Sequence, residues 1–279
     1  MRTSPFEVRP IAGALGAELH GVDLSQDLPE ATVAALRQAL LDHLVIFFRD
    51  QDLPPDRFLA LARRFGTPIE YPFVKGIAGY PEVIAVAKLP GEQINFGGVW
   101  HSDTTYLTEP PMATLLVARE VPPFGGDTIF ANQYLAYETL SPAMQHVLAA
   151  LRGISSSRKA DASRTREDRI RTDGTAEPHK ALTAEHPVVR AHPETGRKAL
   201  YVNVAHTVGL AGLTEEESAP LLAYLFRHQI RPEFTCRFRW QPGSLAIWDN
   251  RCAQHYAVND YQGQTRVMHR ITLAGDRPR

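Results

Sequence analysis

Cysteine is scarce in this chain. Only Cys236 and Cys252 occur in 279 residues, and their separation fits no metal-binding spacing. A thiolate zinc site or a disulfide scaffold is therefore excluded as the organising feature, and free thiols in a reducing cytoplasm are the expectation. Long apolar runs are missing too. No stretch approaches the roughly 20 residues that cross a bilayer, and the opening MRTSPFEVRP has no apolar signal core. An excess of charge of one sign is also lacking. The formal net charge is −1, which leaves no overall field to hold nucleic acid or an anionic membrane. There is no internal repeat and no low-complexity linker. What is present is an ordinary globular composition, 44% hydrophobic and 22% charged, in a length that suits one large domain or two small ones. With no boundary signal, a single domain over 1–279 is expected.

Short strands dominate the pattern. Candidates lie at 14–19, 44–48, 82–87, 113–118, 127–130, 186–191, 198–202, 234–240, 244–248 and 266–273, separated by turn pairs such as Pro90-Gly91, Gly125-Gly126 and Pro242-Gly243. Helices are fewer. Proline or capping residues open them near Pro29, Asp56, Ser141 and Thr214, the last as a Thr-x-x-Glu capping box. This order predicts a mainly β protein with flanking helices and suggests a jelly-roll-type sandwich, though periodicity alone suits another antiparallel fold equally. One polar, charge-rich segment, 155–180, reads as a lid or loop inserted into the domain. Arg158 and Lys159 are its candidates for closing over a site.

The segment GGVWHSDTTY, residues 97–106, sets His101 and Asp103 two positions apart. On a strand, such a pair shares one face and can converge on one ion. Two histidines and a carboxylate on one octahedral face leave three positions open, which is what oxygen-activating Fe(II) enzymes require. Of the 11 histidines, His255 is the candidate third ligand. It follows the apolar run SLAIWDN and is remote in sequence, as expected where two strands of one sandwich meet. His146 and His228 fall on helices and read as surface residues, and His186 and His192 sit beside the polar segment. The same spacing also suits a polar surface loop with one half-buried histidine.

The last strand, Arg266-Val-Met-His-Arg270, puts two arginines on one face, about 13 Å apart. Buried there, each calls for an anion, and a guanidinium grips a carboxylate through two parallel hydrogen bonds. Either arginine alone also suits a solvent-facing strand end.

Together these segments resemble the taurine dioxygenase (TauD/TfdA) family of Fe(II)- and 2-oxoglutarate-dependent dioxygenases. The likeness runs through LGAELHGVDL, LVIFFRDQ, RRFGTP, WHSDTTY, PPFGGDTIFAN, HPVVRAHPETGRKALYVN, WQPGSLAIWDNRCAQHYA and RVMHRITLAGD, in order over most of the chain. It implies a double-stranded β-helix core and a homo-oligomer. It implies His101, Asp103 and His255 as iron ligands, Thr128 and Arg266 as partners of the distal 2-oxoglutarate carboxylate, and Arg270 as the contact to an anionic substrate. It further implies hydroxylation of a C–H bond with O2, yielding succinate and CO2. Pocket positions depart from the taurine-specific pattern. Tyr71 stands where a histidine is usual, His206 where a phenylalanine is usual, and the residues before Trp100 differ. Tyr71, His206, Phe73 and Tyr106 are thus candidates for lining the substrate pocket, and equally for the core. A small organic anion is the implied substrate, with a sulfonate or alkyl sulfate ahead of an aryloxyalkanoate. Two rivals stay open: a cupin-like metalloenzyme that does not use 2-oxoglutarate, and a non-catalytic sandwich that binds anions.

Overall fold

A computed structural model of the chain describes residues 5–72, 74–158 and 181–279. Its elements in chain order are β1 (Glu7–Pro10), β2 (Ala17–His20), α1 (Glu30–His43), β3 (Val45–Phe48), α2 (Pro55–Phe65), β4 (Pro68–Ile69), β5 (Ile84–Lys88) and β6 (Ala113–Glu120). They continue with β7 (Thr128–Asn132), α3 (Gln133–Glu138), α4 (Pro142–Ala149), β8 (Arg152–Ser156), β9 (Thr183–Pro187), β10 (Val189–Ala191), β11 (Lys198–Leu200) and β12 (Thr207–Leu210). The last are α5 (Glu215–His228), β13 (Thr235–Phe238), β14 (Leu245–Asp249), β15 (Ala253–Ala257) and β16 (Arg266–Leu273).

The large sheet runs β1-β2-β3-β14-β6-β16-β4, with β5 also on β16, and smaller sheets run β13-β7-β15, β12-β8-β9 and β10-β11. Alternation in the central strands explains how the layers stack. Ile46 and Phe48 of β3, Leu245 and Ile247 of β14, and Leu115 and Val117 of β6 point to one side. There they form a core with α1 and α2, through Leu36, Leu40, Phe58 and Phe65. The intervening residues Val45, Phe47, Ala246, Trp248, Leu116 and Ala118 point to the other side and pack on Phe130 and Phe238 of the small β13-β7-β15 sheet. Phe47 stacks on Phe238, with ring centroids 4.0 Å apart. A third core, under Leu148, Leu200, Leu222 and Leu225, seats the helices of the second half. The jelly-roll expectation therefore holds, and the space between large and small sheets is where the candidate residues collect.

Several elements depart from the sequence expectation. β1 is exposed along its length, so it carries no apolar alternation to detect. The polar segment expected to begin a lid at residue 155 instead begins inside β8, whose Ser155 and Ser156 are buried and pair with β9 and β12. Lys159 and the rest of that segment to 180 lie outside the described residues, as does Phe73. His228, expected at a helix surface, is buried and donates from Nε2 to the Ala136 carbonyl at 2.8 Å. His186 and His192 are buried as well.

Candidate metal centre and its comparison with known proteins

His101 and His255 are direct partners in an antiparallel bridge. His101 N–H donates to the His255 carbonyl at 3.1 Å, and His255 N–H donates to the His101 carbonyl at 2.8 Å. Opposed residues put their side chains side by side, and the two imidazole centroids are 4.1 Å apart. His255 comes from β15, but His101 and Asp103 do not lie on the regular strand that their spacing suggests. An isolated bridge holds His101, and a turn carries Asp103, with Thr104 in the left-handed region at φ 42°. A non-glycine residue there costs about 1–3 kcal/mol, a cost typical of functional turns. Gly97 serves the same loop. Its φ is 77°, and a Cβ there would lie 3.2 Å from Cε1 of His101.

The three side chains converge. Nε2 of His101 is 3.6 Å from Oδ1 of Asp103, and Nε2 of His255 is 3.8 Å from the same oxygen. Two ligand atoms each about 2.1 Å from a common ion are roughly 3.0–4.2 Å apart, so the donor set fits a divalent cation. Protonation fits too. Burial pulls the His101 pKa down, and Nδ1 donates to the Val99 carbonyl at 2.6 Å, leaving Nε2 as a lone pair. Burial, then the neighbouring His101, hold His255 well below the usual imidazole range. Burial alone would push Asp103 up. Arg270 first, then His255, His101 and the Thr114 hydroxyl, outweigh it and hold the carboxyl below its ordinary range. Two neutral imidazoles and one ionised carboxylate are what a cation needs.

A second group, His192, Asp249 and Cys252, is equally close-set. It is a saturated hydrogen-bond network instead. Asp249 accepts from Arg251 N, Nε and Nη2 and from His192 Nε2, at 2.6–3.0 Å. His192 Nδ1 in turn accepts from the backbone N–H groups of Glu194 and Thr195. No carboxylate or imidazole lone pair is left to aim at an ion, and burial keeps Cys252 a protonated thiol directed at the Asp249 carbonyl.

On β16 the buried face carries Arg266, Met268 and Arg270, as alternation predicts. Nη2 of Arg270 reaches Oδ1 of Asp103 at 2.8 Å, an ion pair too bent to count as a hydrogen bond. Its guanidinium carbon sits 5.2 Å from the Tyr71 ring centroid and 5.8 Å from that of Phe96. Arg266 is equally buried, and its Nε and Nη2 have no protein partner among the described residues. Burying such a cation is costly unless an anion meets it. Its guanidinium lies 5.8 Å from the Trp240 ring, and the Trp240 indole N–H donates to Thr128 Oγ1 at 2.9 Å. Gly126 has φ 70°, and a Cβ there would meet Arg266 Cδ at 3.2 Å. Thr128, Trp240 and Arg266 thus form one polar corner, at the far end of the β16 face from Arg270. His206 is brought to the centre as well, 6.0 Å from the His101 ring and 5.0 Å from Tyr106.

Trp240 and the Asp103 partners Thr114 and Asn250 escape the sequence reading, whereas Phe96 lies among the residues before Trp100 that it places at the pocket. A buried indole needs a partner for its N–H, which would single out Trp240 in the run WQPG. Thr114 sits in an apolar strand and carries no signal of its own.

The profile described as "Taurine catabolism dioxygenase TauD, TfdA family" matches residues 7–272. The chain belongs to the TauD/TfdA family. It is 38% identical over 281 residues to an alpha-ketoglutarate-dependent sulfate ester dioxygenase of Pseudomonas putida, covering 98% of this chain and 91% of that protein. It is 35% identical to an alkylsulfatase of Acinetobacter baylyi, covering 98% and 86%. The crystal structure of a taurine dioxygenase from Burkholderia xenovorans superposes with a TM-score of 0.83 at 38% identity, covering 98% of this chain and 92% of that one.

Proposed function

We propose that this family member is an Fe(II)- and 2-oxoglutarate-dependent dioxygenase that hydroxylates a sulfate ester or sulfonate at the carbon next to the anionic group. The observation that carries this reading is the convergence of His101, Asp103 and His255 beside two buried arginines on one strand face. His101, Asp103 and His255 are assigned as the ligands of the ferrous ion. When bound, that ion supplies O2 activation coupled to oxidative decarboxylation of 2-oxoglutarate, and with it the power to oxidise a C–H bond.

The chain's own residues supply placement and charge. Arg266, with buried and unmatched N–H groups, receives the distal carboxylate of 2-oxoglutarate, and the Thr128 hydroxyl is its second donor. The indole of Trp240 fixes that hydroxyl from the other side. Arg270 binds the substrate's anion. It touches a metal-ligand carboxylate, so the group it holds stays beside the metal and the adjoining carbon is the one presented. Tyr71 and Phe96 flank the same guanidinium and shield it from water. His206 completes the pocket wall. Hydroxylation next to a sulfate ester oxygen gives a hemiacetal-type product, which collapses to an aldehyde and free sulfate.

The reading treats 1–279 as one dioxygenase domain, supported by a large sheet that joins β1 to β16. A cytoplasmic location is part of the proposal, supported by two buried free thiols, and a homo-oligomer is included on family likeness. No helix among the described residues is long and apolar enough to cross a membrane. The test is succinate and sulfate release from an alkyl sulfate with added Fe(II), ascorbate and 2-oxoglutarate. Equal turnover by His101→Ala would remove the triad from the mechanism.

A further inference from the structure

The Asp103 carboxylate is held from behind by a closed ring of hydrogen bonds. Thr114 Oγ1 donates to Oδ2 of Asp103 at 2.6 Å. Asn250 Nδ2 donates to Thr114 Oγ1 at 2.9 Å. Asn250 Oδ1 accepts from the backbone N–H of Asp103 at 3.3 Å and from the indole N–H of Trp248 at 2.9 Å. Every participant is buried, with Thr114 and Asn250 at 0% exposure.

The direction of each bond is fixed by chemistry. The Trp248 and Asp103 N–H groups are donors only, so the Asn250 oxygen must face them and its NH2 must face Thr114. That NH2 fills a lone pair of the Thr114 hydroxyl. The hydroxyl's one proton then goes to Asp103, whose ionised carboxylate only accepts. Oδ2 is thereby engaged, while Oδ1 faces His101, His255 and Arg270. Asn250 also reaches the third corner of the site, because the Trp248 ring it holds lies 4.7 Å from the His255 ring. On this face of β6 and β14 the neighbours are Leu116, Ala118, Ala246 and Trp248. A threonine and an asparagine placed among them are kept only by a fully satisfied network.

We infer that Thr114 and Asn250 are positioning residues that lock the Asp103 carboxylate, so that Oδ1 alone meets the metal and the remaining coordination positions stay open to 2-oxoglutarate and O2. The inference rests on Asp103 being an iron ligand as proposed above. Thr114→Val keeps the shape and removes the donor; the carboxylate then turns, and a metal that needs one oxygen at a set angle is held less tightly. Loss of such a partner lowers metal affinity by about 10–100-fold. Asn250→Ala, which frees the Thr114 hydroxyl to turn away, moves affinity in the same direction.

The experiment measures Mn(II) affinity by EPR for the wild type, Thr114→Val, Thr114→Ser, Asn250→Ala and Asp103→Ala, with circular dichroism melting on each. The expected result is weaker Mn(II) binding in the valine variant, near-wild-type binding in the serine variant, and a folded chain in both. Should the valine variant fail to fold, Thr114→Ala, which adds no volume, carries the same comparison. Wild-type Mn(II) affinity in the valine or alanine variant, with binding lost in Asp103→Ala, overturns the inference and leaves the iron reading standing. Unchanged binding in Asp103→Ala overturns the iron reading and the inference with it.

Discussion

Nη2 of Arg270 lies 2.8 Å from Oδ1 of Asp103, with both side chains buried. One guanidinium therefore touches the carboxylate assigned to the metal and, on the proposed reading, is also the group that receives the substrate's anion. Under that proposal the contact ties specificity to chemistry, because an anion held at Arg270 would lie beside the proposed metal centre.

Replacing Arg270 with methionine keeps much of the side-chain bulk and removes the charge. The KM for an alkyl sulfate is expected to rise about 100-fold, as for loss of one partner of a desolvated ion pair. Binding of 2-oxoglutarate, which the proposal assigns to Arg266, is expected to move far less. Separate titrations of substrate and co-substrate check this split.

Arg266→Met produces the converse. The KM for 2-oxoglutarate is expected to rise by about 100-fold, since two charge-assisted hydrogen bonds are lost. Trp240→Phe, which frees the Thr128 hydroxyl, gives a smaller rise in the same constant. Steady-state kinetics with 2-oxoglutarate varied at saturating alkyl sulfate measures both.

At Gly97, a methyl group meets two obstacles, a φ of 77° and the edge of the His101 ring. Gly97→Ala is expected to cost about 1–2 kcal/mol in stability. It also weakens metal binding by displacing His101, and calorimetry with and without Mn(II) reads both effects.

Asp249 should govern acid stability. Burial alone pushes its carboxyl up, but Arg251 and His192 hold it below the ordinary range. A carboxylate whose pKa falls on folding binds fewer protons in the native chain than in the unfolded one. Its contribution is complete above the unfolded value near 3.9 and drains away as pH falls through and below it. Asp249→Asn is expected to lose about 3 kcal/mol at neutral pH and to show a flatter decline in acid. Urea unfolding at a series of pH values tests both parts.

The sequence carries the strand pattern well where strands are two-sided and apolar. The run LVIFF is found as β3 because its alternate residues feed two cores. β1 and β8 are not legible, since one has no buried face and the other buries serines. The identities of His101, Asp103 and His255 are visible in spacing and resemblance, but the means of their meeting is not. A single bridge between residues 154 positions apart, and a left-handed Thr104, are tertiary facts. Thr114 and Asn250 are hidden for the same reason. Nothing in ATLLVARE marks one threonine as a partner of Asp103; only the register of β6 against β14 brings it there.

The most direct measurement is the visible spectrum of the protein under anaerobic conditions as Fe(II) and then 2-oxoglutarate are added. A metal-to-ligand charge-transfer band is predicted to grow to one equivalent of each, to shift when an alkyl sulfate is added, and to vanish in His255→Ala. Absence of the band in the wild type, or its persistence in His255→Ala, would contradict a single ferrous centre held by these three side chains.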